Sequence, residues 1–154
     1  MPLTSQVEVD SSEEQANPDE KTFLIFRASG ELFGVPLLGI KEVIKPSAVT
    51  PVPGFPPHFL GMLDLRGRLV HVMDLRVRLG MKTEGLPPGL ILVLETASGL
   101  VGAMVDDIVS VEVLTPESVE GSPVANSNFP SRSLLGVGKY GQQLVCLFNL
   151  IELC

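Results

Sequence analysis

Residues 59–75 read FLGMLDLRGRLVHVMDL, two apolar runs on either side of a Leu-Arg-Gly break. Glycine readily adopts the positive φ that a tight turn needs, so this pattern predicts a β-hairpin that folds back at Gly67. The second run alternates apolar residues onto both faces, with Leu69 and His71 on one of them. We therefore expect this strand to be an inner wall that little water reaches.

Arg66 stands at the predicted turn, next to the two apolar strands. Arginine is the residue type that most often anchors protein interfaces through a planar, multidentate cation. A solvated turn arginine is the other interpretation, and the residue alone leaves both open.

Size and composition bound the function. A chain of 154 residues with 45% apolar and 19% charged residues suits one domain or two very small ones. The net charge of −7 repels phosphate backbones and anionic lipids, which argues against nucleic-acid and membrane partners. Cys146 and Cys154 make no disulfide framework, and no apolar run approaches the roughly 18 residues of a membrane span. We expect a cytoplasmic protein without membrane insertion.

Outside the central hairpin, the pattern predicts a mostly β chain. Residues 1–20 are acidic and polar, and we expect a disordered tail. Strands are predicted at 22–28, 31–37, 90–94, 100–105, 108–114, 134–137 and 144–148, with turns at 98–99 and 138–141. Short helical turns are expected at 56–61, at 75–80 after an Asp74 cap, and at 115–121.

The chain also resembles itself. At an offset of 136 − 61 = 75, the Leu-Gly pair ending at Gly61 matches the pair ending at Gly136, and Asp74 matches Asn149. With a shorter offset, Gly34, Ile40 and Val43 match Gly102, Ile108 and Val111. The repeat predicts two similar units of about five short strands, each of which must close to hide its edges.

The residues offer no catalytic or metal-binding constellation. His58 and His71 have no second histidine or cysteine at ligand spacing, so a loop histidine and a wall histidine are the better interpretations. The pair Asp106 and Asp107 is interpreted as a turn signal. We expect no enzyme activity, no metal and no cofactor.

An apolar surface with a few placed charges remains as the candidate site. Ile40, Glu42 and Val43 in the first unit and Arg66 at the turn are the predicted binding residues, because a carboxylate and a guanidinium give register to an apolar contact. In the alternative interpretation, Glu42 and Arg66 only pair with each other.

Several motifs resemble those of the CheW family of chemotaxis adaptors over residues 21–154. They are the phenylalanine-containing first strand at 23–26, IKEV at 40–43, the proline-containing link at 51–57, GMLDLRG at 61–67, DLR at 74–76, GAMVDDI at 102–108 and the final hairpin at 135–150. The Leu-Arg-Gly hairpin with its flanks is a specific signal of the family.

The resemblance implies an all-β fold of two packed SH3-like five-stranded β-barrels with short helical turns. It divides residues 21–154 into subdomains of roughly 21–80 and 90–154, with exchange of terminal segments allowed. It also implies a non-enzymatic adaptor that joins the cytoplasmic tips of chemoreceptors to the regulatory domain of a CheA-type histidine kinase, itself a CheW-like double barrel. Other CheW-like domains are further candidate partners, and the protein is expected in the cytoplasm, recruited to receptor arrays.

The resemblance places receptor binding on Ile40, Glu42, Val43 and Arg66. The hairpin residues expected to support that surface are Gly61, Asp64, Leu65 and Gly67. Two positions depart from the family pattern: Asp64 replaces an asparagine and His71 replaces a proline. A different class of function, a small-molecule-binding double barrel with a ligand cleft between its halves, would need a closed pocket with convergent polar groups.

Overall fold

The computed structural model describes residues 21–45, 49–83, 89–117 and 133–153. The predicted acidic tail at 1–20, most of the polar loop at 122–133 and part of the loop at 82–89 lie outside these ranges. The strands are β1 Lys21–Ala28, β2 Glu31–Pro36, β3 Glu42–Ile44, β4 Phe59–Leu65, β5 Arg68–Asp74, β6 Leu90–Thr96, β7 Gly99–Val105, β8 Asp107–Leu114, β9 Leu134–Tyr140 and β10 Gln143–Phe148. The helices are α1 Leu75–Arg78 and α2 Leu150–Leu153, and a 3-10 turn spans Leu37–Gly39.

The strands form two five-stranded sheets of equivalent topology. Sheet 1 has the order β8-β1-β2-β10-β9, and sheet 2 has the order β3-β6-β7-β5-β4. Among the described strands, β2 pairs with β10 in parallel in sheet 1, and β7 pairs with β5 in parallel in sheet 2. The strands of sheet 2 are consecutive in the chain, whereas sheet 1 combines the first two strands with the last three. Whether 21–80 and 90–154 are the folding subdomains stays a prediction.

Each sheet curls until its edge strands meet, which hides their unpaired backbone groups. In sheet 2, Thr50 follows β3 and bridges Met62 of β4, and in sheet 1, Glu117 follows β8 and bridges Val137 of β9. The fold is therefore the predicted pair of SH3-like five-stranded units.

Two glycines show how closely the units repeat. Gly61 and Gly136 both have φ +144°, and a Cβ atom on them would lie 2.1 Å from the Thr50 carbonyl oxygen and 2.5 Å from that of Glu117, respectively. Only glycine combines this φ with so close a backbone approach. The offset of 75 residues found in the sequence thus joins structurally equivalent positions.

The described residues form three apolar clusters that hold the fold together. One lies within sheet 2 around Val70 and Val72, and a second lies within sheet 1 around Phe23 and Ile25. The largest joins the sheets and includes Phe26, Phe33 and Phe148 together with Leu92 and Leu94. This third cluster explains why several strands are apolar on both faces.

Most predicted elements are confirmed, including the central hairpin and the cap of α1, where Asp74 Oδ1 accepts from the Arg76 backbone N–H at 3.0 Å. Asn149 Oδ1 accepts from Ile151 in the same way at 3.1 Å, so the equivalent cap opens α2. The hydrophobic patterns located these strands because each carries the side chains of a buried cluster.

Other expectations are wrong. No helical turn forms at 56–61; a tight turn joins Pro56 O to Phe59 N, and Gly61 lies inside β4. Glu117 pairs with β9 instead of opening a helix, and the rest of the predicted helical turn lies outside the described residues. The hairpin turns fall at 97–98 and 141–142, because strand pairing extends β6 and β9 beyond their apolar runs.

The predicted inner wall is also only half right. Leu69 is 62% exposed and His71 is exposed, whereas Val70 and Val72 are buried. The outer face of β5 is covered by the other sheet only from Met73 onward, so its first half faces water.

Candidate protein-binding site

The turn between β4 and β5 presents Arg66 to solvent. Arg66 has φ +51° and Gly67 has φ +88°, the pair of positive values that a type I′ hairpin turn requires. Asp64 Oδ1 accepts from the Gly67 N–H at 2.8 Å, which fixes the turn from within. The predicted support role of Asp64 and Gly67 thus has a geometric basis in the turn itself.

Arg66 pairs with Glu42, the contact that the sequence left as an alternative. Its Nη2 donates to Glu42 Oε1, and the two side chains are 70% and 27% exposed. Glu42 lies in β3 and Arg66 follows β4, so the ion pair joins the two edge strands of sheet 2. An exposed pair of this kind contributes only about 0–1 kcal/mol, and the guanidinium has further donors available to a partner.

The two apolar members of the predicted site lie on either side of Glu42. Val43 is 41% exposed on β3, on the face opposite Glu42. Ile40 is half-buried and packs against the cluster between the sheets. The structure therefore brings Glu42 and Arg66 into contact. Ile40 and Val43 lie close to this pair because they precede and follow Glu42 in the sequence.

Ile40 also lines an open groove of about 290 Å³ between the sheets. Both sheets and α2 contribute, and among the described residues the lining is apolar except for Asn149. The lining residues are Val35, Pro36, Leu38, Gly39, Ile40, Leu94, Asn149, Leu150 and Ile151. Leu38 is fully exposed and adds apolar surface at the rim of the groove.

Two further residues hold the hairpin in place. Leu65 packs against the cluster within sheet 2. Gly61 allows the backbone at Thr50 to cross β4, where the two residues at 50 and 62 exchange backbone hydrogen bonds of 2.8 and 2.9 Å. These contacts set the position of β4 relative to the chain that follows β3.

A second set of charges lies at the same end of sheet 2. Glu95 accepts from Lys41 Nζ at 3.3 Å and from Arg68 Nη2 at 2.9 Å. The hydrogen bond from Arg68, then that from Lys41, lowers the pKa of the Glu95 carboxyl below its ordinary value. Sequence reasoning missed this group; the only available signal was two cations, Arg66 and Arg68, flanking the turn glycine.

The largest omission is a buried charge cluster around Arg76, which is 4% exposed. Its Nε and Nη2 donate to the two carboxylate oxygens of Asp74 at 2.9 and 3.1 Å, and its Nη1 donates to Asp106 at 3.1 Å. The hydrogen bond to Asp74 is the main reason that the Arg76 pKa is raised. The sequence predicted only a turn at Asp106. The Asp-Leu-Arg motif at the end of β5, which contains Arg76, was the available sign of a partner for Asp106.

Reactive groups are few in the described parts of the chain. Burial raises the pKa of the Cys146 thiol to about 12, so it stays protonated. Within the ranges that the structure describes, no three histidine, cysteine, aspartate or glutamate side chains could hold a metal ion. No helix there is long and apolar enough to cross a membrane.

Comparison with known proteins gives a consistent result. A family described as the CheW-like domain matches residues 22–154. A probable chemotaxis protein CheW from Rhizobium etli is 26% identical over 135 residues, 87% of each chain. The chemotaxis protein CheW of Klebsiella aerogenes is 28% identical over 132 residues, 85% of this chain and 80% of that protein. The crystal structure of the scaffolding protein TtCheW from Thermoanaerobacter tengcongensis superimposes with a TM-score of 0.73 at 24% identity, covering 86% of this chain and 91% of that one.

Proposed function

Because this chain belongs to the CheW-like domain family, we propose that it is a non-catalytic adaptor of chemotaxis-type signalling that couples chemoreceptor cytoplasmic tips to the regulatory domain of a CheA-type histidine kinase. The relatives called chemotaxis protein CheW and the fold shared with a scaffolding protein support the adaptor role. The protein acts in the cytoplasm, and other CheW-like domains are further candidate partners.

The receptor contacts Ile40, Glu42, Val43 and Arg66 in this proposal. The observation that carries it is the Arg66 side chain, 70% exposed and paired with Glu42 of β3. Glu42 lies two residues along the chain from Ile40, which lines the apolar groove. A partner carboxylate can replace Glu42 at little cost, since exposed ion pairs are weak. The groove then supplies apolar area, and the charges supply register.

Small-molecule binding is less well supported. The groove between the sheets is open, and Asn149 is its single polar side chain among the described lining residues. Small-molecule sites usually enclose most of the ligand and orient it with several convergent polar groups. The shape and chemistry of this groove suit an apolar protein surface better.

The proposal is tested by assembling the complex from purified parts. The chain is mixed with a chemoreceptor cytoplasmic fragment and a CheA regulatory domain, separately and together, and complexes are resolved by size-exclusion chromatography with light scattering. We expect a binary complex with each partner and a ternary complex when all three are present. Binding to neither partner by the folded protein would contradict the proposal.

A further inference from the structure

The cluster of Asp74, Arg76 and Asp106 connects parts of the molecule that are distant in the chain. Asp74 ends β5 and Arg76 lies in α1, both beside sheet 2, whereas Asp106 follows β7. Asp106 also reaches sheet 1, because its Oδ2 accepts from the Gly30 N–H at 2.9 Å in the turn between β1 and β2. A continuous set of charged hydrogen bonds therefore runs from sheet 2 to sheet 1.

Two more contacts hold the end of β1 and the turn that follows it. The Asp106 N–H donates to the Arg27 carbonyl at 2.8 Å, and Ser29 Oγ donates to the Lys82 carbonyl at 2.7 Å. The apolar cluster between the sheets supplies most of the contact area, but apolar contacts are not directional. Charged hydrogen bonds with defined geometry are what can select one orientation.

The groove lies at the far end of the strand that this turn begins. β2 starts directly after Gly30 and reaches Val35 and Pro36, which line the groove, after six residues, roughly 20 Å. The opposite wall includes Leu94 of β6, which pairs with β7, the strand that Asp106 follows. The two walls of the groove thus belong to the two sheets that the cluster ties together.

We propose that Asp74, Arg76 and Asp106 form a clamp that holds the two sheets at one angle, and that Arg76 is thereby a positioning residue for the partner bound at the groove. The second part rests on the proposed adaptor function. The clamp acts on binding through the placement of β2, which lines the groove, relative to sheet 2.

The experiment separates orientation from binding. Asp106→Ala removes the acceptors of Arg76 Nη1 and of Gly30 while leaving the Arg76 contacts with Asp74. Asp107→Ala is the matched control, since this neighbouring carboxylate makes an exposed 3.9 Å pair with Arg27. Spin labels are placed on cysteines introduced at Leu69 of sheet 2 and Val113 of sheet 1, both exposed, in a Cys154→Ser background.

Pulsed electron–electron double resonance on the isolated protein measures the distance between the two spin labels and gives the first result. We expect one narrow distribution for the parent and for Asp107→Ala, and a broadened or shifted one for Asp106→Ala. A folded Asp106→Ala with the parent's distribution would overturn the clamp. If that variant does not fold, Asp106→Asn replaces it. Its amide nitrogen takes the place of one of the two acceptor oxygens, so either Arg76 or Gly30 then faces a donor, and the same broadening is expected.

Titration against the receptor fragment gives the second result. We expect at least tenfold weaker binding for Asp106→Ala and parental binding for Asp107→Ala. Parental affinity despite a broadened distribution would overturn the positioning role. Failure of the parent itself to bind would count against the adaptor function, and the distance measurement would still decide whether the clamp exists.

Discussion

Arg66 and Glu42 form an ion pair that joins the two edge strands of sheet 2. Arg66 lies in the turn after β4, and Glu42 lies in β3. The pair agrees with the alternative interpretation, in which Glu42 and Arg66 only pair with each other, since each has a partner in the free protein. It does not remove them from a binding site, because the pair is exposed and exchange of one carboxylate for another costs little. The same contact holds the guanidinium against β3 before a partner arrives.

Gly61 and Gly67 provide a matched test of the hairpin. Gly61→Ala should destabilise the fold by at least about 3 kcal/mol, because the backbone is strained and the new Cβ meets the Thr50 carbonyl. Gly67→Ala should cost only about 1 kcal/mol, since φ is positive but nothing lies within 4 Å of the new atom. Urea denaturation of both variants measures the difference; equal losses would mean that the crossing at Thr50 is not as described.

Asp64 should act on the turn more than on a partner. Asp64→Asn keeps an acceptor for the Gly67 N–H and should change the unfolding free energy by less than about 0.5 kcal/mol. Asp64→Ala loses that acceptor and should cost about 0.5–1.5 kcal/mol. Receptor affinity should hold or rise in Asp64→Asn, where a negative charge near Arg66 is gone. Equal stability of the two variants would contradict the turn contact.

Glu95 gives a prediction about pH. Arg68 and Lys41 lower the pKa of its carboxyl from the ordinary 4.5, so folding should bind fewer protons at this group. The stabilisation is present above pH 4.5 and is lost as the pH falls through the lowered value. Carboxyl-detected NMR titration should show the lowered pKa, and Arg68→Gln or 1 M salt should move it back up. An unshifted titration in the parent protein would rule out the two ion pairs in solution.

The sequence was sufficient for features that depend on local residue types. The Leu-Arg-Gly hairpin, the Asp74 cap and the repeat that relates Gly61 to Gly136 each follow from glycine conformation, capping chemistry or apolar spacing. The predicted pair of five-stranded units is confirmed for the same reason, because the alternation of buried residues marks nearly every strand. The contact between Glu42 and Arg66 was also predicted, although only as the alternative to a role of both residues in binding.

Contacts that depend on the packing of the two sheets could not be read from the chain. Nothing local distinguishes Leu69, which is exposed, from Met73, which the other sheet covers four residues later. The buried cluster of Arg76 with Asp106 joins residues 30 apart and depends on where the β1 to β2 turn lies. Glu117 pairs with β9 for a similar reason, because sheet closure overrides its local preference for a helical turn.

The most direct test of the adaptor account is the affinity of Arg66→Ala for a chemoreceptor cytoplasmic fragment, measured by calorimetric titration beside a melting curve. Arg27→Ala is the matched control, an exposed arginine of sheet 1 that also pairs with one carboxylate. We predict that both variants keep the parent's stability within about 1 kcal/mol. Arg66→Ala should lose about 2 kcal/mol of binding free energy, roughly thirtyfold in Kd, whereas Arg27→Ala should bind like the parent. Parental affinity of a folded Arg66→Ala would contradict the claim that this hairpin turn meets the receptor.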